Sequence, residues 1–320
     1  MYKKILVPLD GSELAETAIL YAELVARNTG SEIDLITVTD FDVPDTVRFE
    51  SEEYLNNVKV NAETVYSEVL AGLPGECIPD YASKNNIDLI VMTTHGRSGI
   101  SRWALGSVAD KMIASASCPI LLVRSKHHHQ KPQRKESIDR IMVTLDGSRE
   151  SELVLPYIAD LCASLGSEAV LLQVIPRMYH VIGDLCGPVK VPFSTEELAM
   201  LIMDTRDYLS QIRRQLEKHQ VIAKCQVRTG DEAEEIARTA TELHVDLVAM
   251  STHGRSGIKR WILGSVSDKV LHIGDTPLLL VRASESIKKS LEDTSVNDQS
   301  VQSELHAESK IDSNVNLIKQ

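Results

Sequence analysis

Residues 94–111 read THGRSGISRWALGSVADK and residues 252–269 read THGRSGIKRWILGSVSDK, with fifteen of the eighteen positions identical. The beginnings of the two copies match as well, because Lys4–Ser12 reads KILVPLDGS and Arg140–Ser148 reads RIMVTLDGS. The period is far longer than a solenoid unit of about 20–50 residues. The chain is therefore predicted to contain one duplicated domain.

Within each copy, short apolar runs alternate with segments of helical periodicity. Runs such as Ile5–Leu9 and Leu89–Met92 are typical of strands buried on both faces, whereas Ser12–Thr29 repeats its apolar residues at the helical period. Strands separated by helices predict an α/β fold. We expect two tandem doubly wound domains, each with a mostly parallel five-stranded sheet and helices on both faces.

Composition changes mark the domain boundaries. We predict domains at residues 1–125 and 138–283, joined by a basic, hydrophilic linker at residues 126–137. Residues 284–320 are rich in Ser, Glu, Lys, Asp and Asn and are predicted to form a disordered polar tail.

The two copies differ in length after their second strand. The two Asp-Gly-Ser motifs are 136 residues apart and the two His-Gly-Arg motifs 158, so the second copy has 22 more residues there. We assign much of the difference to an amphipathic helix at Thr195–His219, whose counterpart near Ser51–Val58 has hardly two turns. The first domain is expected to be less well covered on that face, or covered by its neighbour.

Charge and composition exclude several classes of function. A net charge of −12 and a pI near 5.3 argue against general binding to nucleic acid or anionic membranes. No apolar stretch reaches the roughly 18–20 residues that cross a bilayer. The five cysteines have no motif spacing, which favours a reducing compartment. We therefore expect a soluble, cytoplasmic protein without nucleic-acid or membrane partners.

The loop after the fourth strand can bind an anion. Glycines let backbone amides approach a ligand closely, and a helix beginning near Gly106–Ser107 would offer unpaired N–H groups. Asp10 ends the first strand and would lie on the same rim of the sheet. The alternative is an ordinary turn followed by a helix cap. A P-loop, a Rossmann glycine fingerprint and a nucleophile elbow are all missing from the sequence.

These motifs together resemble the universal stress protein family. The first copy carries the resemblance in Ile5–Ser12, Asp88–Gly99 and Leu105–Val108, and the second in Asp146–Ser148, Ser251–Gly257 and Leu263–Val266. The resemblance covers nearly all of residues 1–283 and implies a fold like that of the adenine nucleotide α-hydrolases.

The ATP-binding branch of that family is marked by the motif G-x2-G-x9-G-[ST]. Its spacing is intact in both copies, but the first glycine is Thr93 in one and Ser251 in the other. A small hydroxyl residue there can bind a phosphate, or it can block close backbone approach if the position needs a positive φ.

The resemblance also implies a role for individual residues. Asp10 and Asp146 would hold the ribose, with Pro8 and Thr144 beside them. The backbone of Val38 and Val174 would meet the adenine edge. The phosphates, with Mg²⁺, would be held by Gly96, Gly106, Ser107 and Val108 in the first copy and by Gly254, Gly264, Ser265 and Val266 in the second. Arg97 and Arg255 either supplement the phosphate charge or are solvated loop arginines.

By this resemblance the protein would be an ATP-binding stress-response protein that acts as a ligand-dependent switch on an unidentified protein partner. Two alternatives stay open: a stress protein that works through protein contacts without nucleotide, and a slow ATPase or phosphotransferase. No catalytic base or nucleophile is recognisable in the sequence. Valine at Gly106 and Gly264 is expected to crowd the phosphate site and leave the fold intact.

The last strand of each copy is predicted to lie at the edge of its sheet. Edge strands need a partner, and in this family that strand pairs across a two-fold axis. Ile120–Val123 and Leu278–Val281 would therefore pair to form an internal pseudo-dimer, and the whole chain can dimerise further.

Overall fold

The computed structural model describes residues 2–94, 106–124, 136–176, 179–184, 187–252 and 263–282. Most of the predicted linker 126–137 and the whole predicted tail 284–320 lie outside these residues.

The first copy alternates strands and helices as its sequence pattern predicts. Its elements are β1 (Lys4–Pro8), α1 (Glu13–Thr29), β2 (Glu32–Thr39), α2 (Asp45–Asn57), β3 (Val65–Ala71), α3 (Pro74–Lys84), β4 (Leu89–Thr93), α4 (Ser107–Ser115) and β5 (Ile120–Val123). Local signals explain the boundaries of α1: the Ser12 side chain caps its first turn, and Gly30 ends it in the left-handed conformation.

The second copy repeats this order and adds a hairpin. Its elements are β6 (Arg140–Leu145), α5 (Arg149–Glu152), α6 (Leu155–Leu165), β7 (Glu168–Pro176), β8 (Tyr179–Asp184), β9 (Gly187–Pro192), α7 (Thr195–Lys218), β10 (Ala223–Gly230), α8 (Glu232–Glu242), β11 (Leu247–Ser251), α9 (Ser265–Ile273) and β12 (Leu278–Val281). A capping box at Ser194 begins α7, as expected for a long exposed helix.

The sequence analysis misjudged two features of the region where the second copy is 22 residues longer. The antiparallel hairpin β8–β9 was not predicted, because its connection lacks the Asn-Gly or Asp-Gly signal of a tight turn. The counterpart of α7 is also longer than two turns, since α2 has 13 residues and begins at Asp45. The first half of α2 buries no side chain, so it leaves no apolar periodicity for sequence analysis to detect.

Each half forms a doubly wound sheet. The strand order is β3-β2-β1-β4-β5 in the first half and β10-β7-β6-β11-β12 in the second, and every neighbouring pair within a half is parallel. The strand order reverses between β1 and β4, and between β6 and β11. Ligands of such sheets bind beyond the carboxyl ends of the strands at this reversal.

The two halves join through their last strands. β5 pairs antiparallel with β12, with Leu121 opposite Leu279, so the described strands of both halves make one continuous ten-stranded sheet. All residues of both strands are buried. This pairing removes two exposed apolar edges, and it confirms the predicted internal pseudo-dimer.

Further contacts reinforce the joint on both sides of the sheet. Helix α1 packs against its counterpart α6, and the Tyr2 hydroxyl donates to the Tyr157 carbonyl oxygen at 3.1 Å. The Arg124 guanidinium donates to the carbonyl oxygens of His272, at 2.9 Å, and Gly274. On the face of α3, α4, α8 and α9, one apolar cluster runs through both halves. The halves therefore share a core as well as a sheet.

The face of the first domain that α2 covers is less well buried than the face of the second domain that α7 covers. Helix α2 buries only Leu55 among its residues, whereas α7 buries four side chains, including Leu209 and Ile212. Strand β3 is exposed over most of its length. The expectation of weaker cover on this domain is confirmed.

No helix in the part of the chain that the structure describes combines the length and the hydropathy that crossing a bilayer requires.

Candidate functional site

The first component of the site is the Asp-Gly-Ser turn that follows β1. Gly11 has φ +82°, a left-handed conformation that favours glycine. This turn brings Ser12 back onto Asp10, whose Oδ1 accepts the Ser12 amide at 3.1 Å and the Ser12 hydroxyl at 2.6 Å. Ser12 Oγ in turn accepts the Ala15 amide at 3.2 Å and caps α1. The half-buried carboxylate is thus held in one orientation at the rim of the sheet.

The second copy repeats this turn with the same contacts. Gly147 has φ +81°. Asp146 Oδ1 accepts the amide of Ser148 at 2.9 Å and its hydroxyl at 2.5 Å. Ser148 Oγ accepts the Ser151 amide at 3.2 Å and caps α5. Ser12 and Ser148 thus orient the two carboxylates that are predicted to bind ribose. The sequence analysis did not assign them this role, although the Asp-Gly-Ser motif is repeated.

The second component is the N-terminus of the helix that follows the glycine loop. Gly106 is the N-cap of α4, and its amide donates to the Thr94 carbonyl oxygen at 3.0 Å. Gly264 does the same for α9, donating to Thr252 at 3.0 Å. Because the N-cap residue of each helix is glycine, it makes no side-chain hydrogen bond to the first turn. A helix N-terminus of this kind offers backbone amides and the positive end of the helix dipole to an anion.

Four of the residues predicted to contact phosphate lie in the first turn of these helices. Ser107 and Ser265 are exposed at the first helical position, and Val108 and Val266 follow them, half-buried. Their backbone amides belong to the N-terminal turn, where a helix offers unpaired donors. The anchoring carbonyls of Thr94 and Thr252 were not among the predicted site residues, although both occur in the repeated segment.

The first glycine of the motif is replaced by a threonine in the first copy and by a serine in the second. Thr93 ends β4 and Ser251 ends β11, and both side chains are buried. Neither is among the described residues with positive φ, so this position does not demand glycine for its backbone conformation. Within the described ranges, the Ser251 hydroxyl has no hydrogen-bond partner. A buried hydroxyl in that state is costly unless a ligand or water completes it.

The predicted adenine edge lies where β1 and β2 end. Beyond the ladder, the Leu9 amide donates to the Ile36 carbonyl at 2.8 Å and the Thr37 hydroxyl donates to the Leu9 carbonyl at 3.1 Å. These bonds hold the ends of the two strands together next to Pro8 and Val38, both of which are half-buried.

The same region of the second domain is built differently. Thr144 and Val174 are buried. Gln173 takes the position of Thr37, and its Oε1 is buried with no hydrogen-bond partner among the described residues. The two copies therefore share the carboxylate and the helix N-terminus and differ at the adenine edge.

Charge near the helix N-termini also differs between the copies. Asp231 caps α8, and hydrogen bonds from the backbone amides of Glu234 and Ala233 together with Lys269 hold its pKa below the usual value. Lys269 belongs to α9 and lies 3.5 Å from the Asp231 carboxylate. Leu73 stands before α3 in the first domain, where no such ion pair can form. The second domain therefore links the start of α8 to α9 by an ion pair that Leu73 cannot form in the first domain.

Four predicted site residues, Gly96, Arg97, Gly254 and Arg255, lie outside the described residues. Among the residues that are described, no group of three or more His, Cys, Asp or Glu side chains is placed to hold a metal ion.

Valine at Gly264 was expected to leave the fold intact, but its side chain would have to displace neighbouring backbone. A Cβ atom on Gly264 would lie 2.9 Å from the backbone carbonyl oxygen of Thr252, closer than real Cβ contacts. The same carbonyl accepts the Gly264 amide, so the strand end and the helix start cannot separate without breaking that bond. Glycine here is required by the close approach of two backbone segments.

Comparison with known proteins places both halves in one family. The model of the universal stress protein family matches residues 1–124 and 137–282. A universal stress protein of Methanocaldococcus jannaschii is 35% identical over 141 residues, covering 39% of this chain and 83% of its own. A second relative, from Thermus aquaticus, is 34% identical over 138 residues and is covered along 100% of its length.

Solved structures show the same tandem fold. The crystal structure of a universal stress protein from Archaeoglobus fulgidus has a TM-score of 0.66 at 19% identity, covering 88% of this chain and 98% of that one. A structure from Pseudomonas aeruginosa reaches a TM-score of 0.63 at 16% identity, covering 92% and 97%. At these identities the likeness concerns the fold alone.

Proposed function

Because the chain belongs to the universal stress protein family, we propose that it is an ATP-binding stress-response protein in which the nucleotide acts as a ligand-dependent switch. The observation that carries this proposal is the pairing, twice in one chain, of an oriented carboxylate with a helix N-terminus that lacks a side-chain cap. Both lie at the point where strand order reverses.

The chemistry of these groups fits a nucleotide. Asp10 and Asp146 would accept hydrogen bonds from ribose hydroxyls, because an oriented carboxylate accepts hydrogen bonds strongly. The first-turn amides and the hydroxyls of Ser107 and Ser265 would donate to phosphate oxygens. Mg²⁺ would be carried by the phosphates. The buried Ser251 hydroxyl would gain a partner that the described residues do not provide.

A switch needs a route from the ligand to a contact surface. The helix that would bind phosphate, α4, leads directly into β5, and α9 leads into β12. These two strands form the joint between the halves. A nucleotide that stabilises the start of α4 would therefore bias the packing at the joint and, through it, association with a protein partner.

One observation favours a second candidate function. Thr93 and Ser251 bring side-chain atoms to a position where the motif has glycine, and this reduces the space beside the loop. If that space is needed, the protein would act through protein contacts without nucleotide.

The test is a calorimetric titration of nucleotide-stripped protein with ATP, with and without Mg²⁺. Asp10→Ala and Asp146→Ala are each expected to remove one of two sites, with at least a roughly tenfold loss of affinity because a charge-assisted hydrogen bond contributes about 1.5–3 kcal/mol. Asp204→Ala, which removes an exposed carboxylate of α7, is the matched control.

The outcomes separate the two candidates. Full affinity in the double variant Asp10→Ala/Asp146→Ala would refute the site assignment. Absence of binding by the wild-type chain, with tight binding by Thr93→Gly/Ser251→Gly, would establish that these side chains exclude nucleotide and would favour the second candidate.

A further inference from the structure

The first domain exposes large apolar side chains on the segment that follows β2. Two of the chain's three phenylalanines, Phe41 and Phe49, are 74% and 66% exposed, and Val47 between them is also exposed. They belong to residues 40–53, the whole β2–α2 connection and most of α2, which we call the acidic–aromatic face. Several large apolar side chains exposed within one short segment are a feature of interaction sites.

The aromatic rings on this face have defined positions. The Phe41 ring lies against Gly72, at 3.2 Å from the position that a Cβ atom would take there. Phe49 lines a shallow groove with Asp45, Glu50 and Glu53. Ring and carboxylates are therefore presented together on one side of α2.

Charge decides what can bind here. Residues 40–53 contain six acidic side chains and one arginine, a net charge of −5 in a chain whose total is −12. The arginine, Arg48, is already paired with Glu52 at 3.3 Å. The face thus combines apolar rings with unbalanced negative charge.

Charge repulsion argues against two candidates for binding at this face, a second copy of the chain and the chain's own residues 283–320. A second copy docking through the same face would oppose −5 with −5, which is strongly unfavourable. Residues 283–320 have seven acidic and four basic side chains, so their net charge of −3 also repels the face.

We propose that the acidic–aromatic face docks a basic amphipathic segment of a partner protein. Apolar side chains of that segment would cover Phe41 and Phe49, and its lysine or arginine side chains would lie between the carboxylates, with cation–π contact to the rings. The second domain differs here, because it has the hairpin β8–β9 between β7 and α7 where the first domain has residues 40–44.

The probe is a fluorescein-labelled helical peptide of about four turns with leucine on one face and lysine on the other, titrated into the full chain without nucleotide. Phe41→Ala/Phe49→Ala is expected to weaken binding about tenfold or more, as for central aromatic residues of an interface. Glu50→Gln/Glu52→Gln/Glu53→Gln is expected to weaken binding and to flatten its dependence on salt.

The matched control is Met200→Ala/Met203→Ala, which removes apolar side chains on α7 that are 66% and 64% exposed. Equal loss in this control, or no loss in Phe41→Ala/Phe49→Ala, overturns the proposal. A peptide with glutamate in place of lysine should not bind, and its binding with equal affinity would also overturn it.

Two further outcomes would identify a different occupant and overturn the proposal. One is a change of oligomeric state in Phe41→Ala/Phe49→Ala, measured by analytical ultracentrifugation, which would indicate a second copy. The other is a manyfold gain in peptide affinity when Lys126, Lys131, Arg134 and Lys135 are replaced by glutamine, which would indicate that the chain's own basic segment competes for the face.

Discussion

Replacing Asp34 by valine should stabilise the protein at neutral pH. Asp34 lies on β2 at 3% exposure, where the second domain has Val170 at the same place in β7. Its Oδ2 accepts the Tyr81 hydroxyl at 3.1 Å, and its Oδ1 has no partner among the described residues. The duplication therefore offers a natural comparison between a buried carboxylate and a buried valine.

The magnitude follows from three contributions. The unpaired buried oxygen costs about 1–3 kcal/mol, and a buried valine contributes roughly 1.5–3 kcal/mol. Loss of the hydrogen bond from Tyr81 to a charged acceptor subtracts about 1.5–3 kcal/mol. The variant Asp34→Val is therefore expected to gain about 1–3 kcal/mol in the free energy of unfolding near pH 7.

The gain should depend on pH. Burial raises the pKa of Asp34, and the hydrogen bond from Tyr81 and the charge of Lys4 only partly oppose that shift. Between the unfolded pKa near 3.9 and the raised folded value, the native state binds more protons than the unfolded state, so stability falls as pH rises through this window. The advantage of Asp34→Val should therefore grow from below pH 4 and level off above the folded pKa.

Urea unfolding followed by circular dichroism at several pH values measures this difference. Asp34→Asn is the control for shape, and Val170→Asp should produce the opposite effect in the second domain. A lower urea midpoint for Asp34→Val at pH 7, or a difference from wild type that does not change with pH, would refute the reasoning.

Three further predictions concern the site and the joint. Ser148→Ala should lower stability by about 1 kcal/mol, because α5 loses its cap and Asp146 loses a hydrogen bond; an unchanged melting temperature would contradict this. Gly264→Ala should lower the melting temperature, because its Cβ would lie 2.9 Å from the Thr252 carbonyl oxygen, and a melting curve like that of wild type would show that the loop gives way freely. Desolvation of the half-buried Cys118 thiol raises its pKa to about 12, so iodoacetamide should label it at pH 8 at least about a hundredfold more slowly in the native chain than in urea. Equal rates by mass spectrometry would contradict this.

The sequence by itself determined the duplication, the class of fold and the elements that carry the site. Buried parallel strands leave continuous apolar runs, and the Asp-Gly-Ser and Gly-Ser segments recur with intact spacing. The same local signals predicted that Asp10 and Gly106 lie at one edge of the sheet, because parallel strands end together. They failed for the first half of α2 and for the hairpin β8–β9, where neither burial nor a strong turn signal marks the chain.

Only the tertiary structure decided how these parts meet. The register that places Leu121 opposite Leu279 depends on two strands far apart in the chain, and no local propensity specifies it. The contact of the Gly264 amide with the Thr252 carbonyl, which leaves little room for a Cβ atom, likewise requires a strand and a helix to be brought together. Phe41 and Phe49 are exposed because none of the described segments packs over them, which the sequence does not reveal. A sequence specifies which side chains favour burial, whereas the packing of distant segments determines which of them are buried.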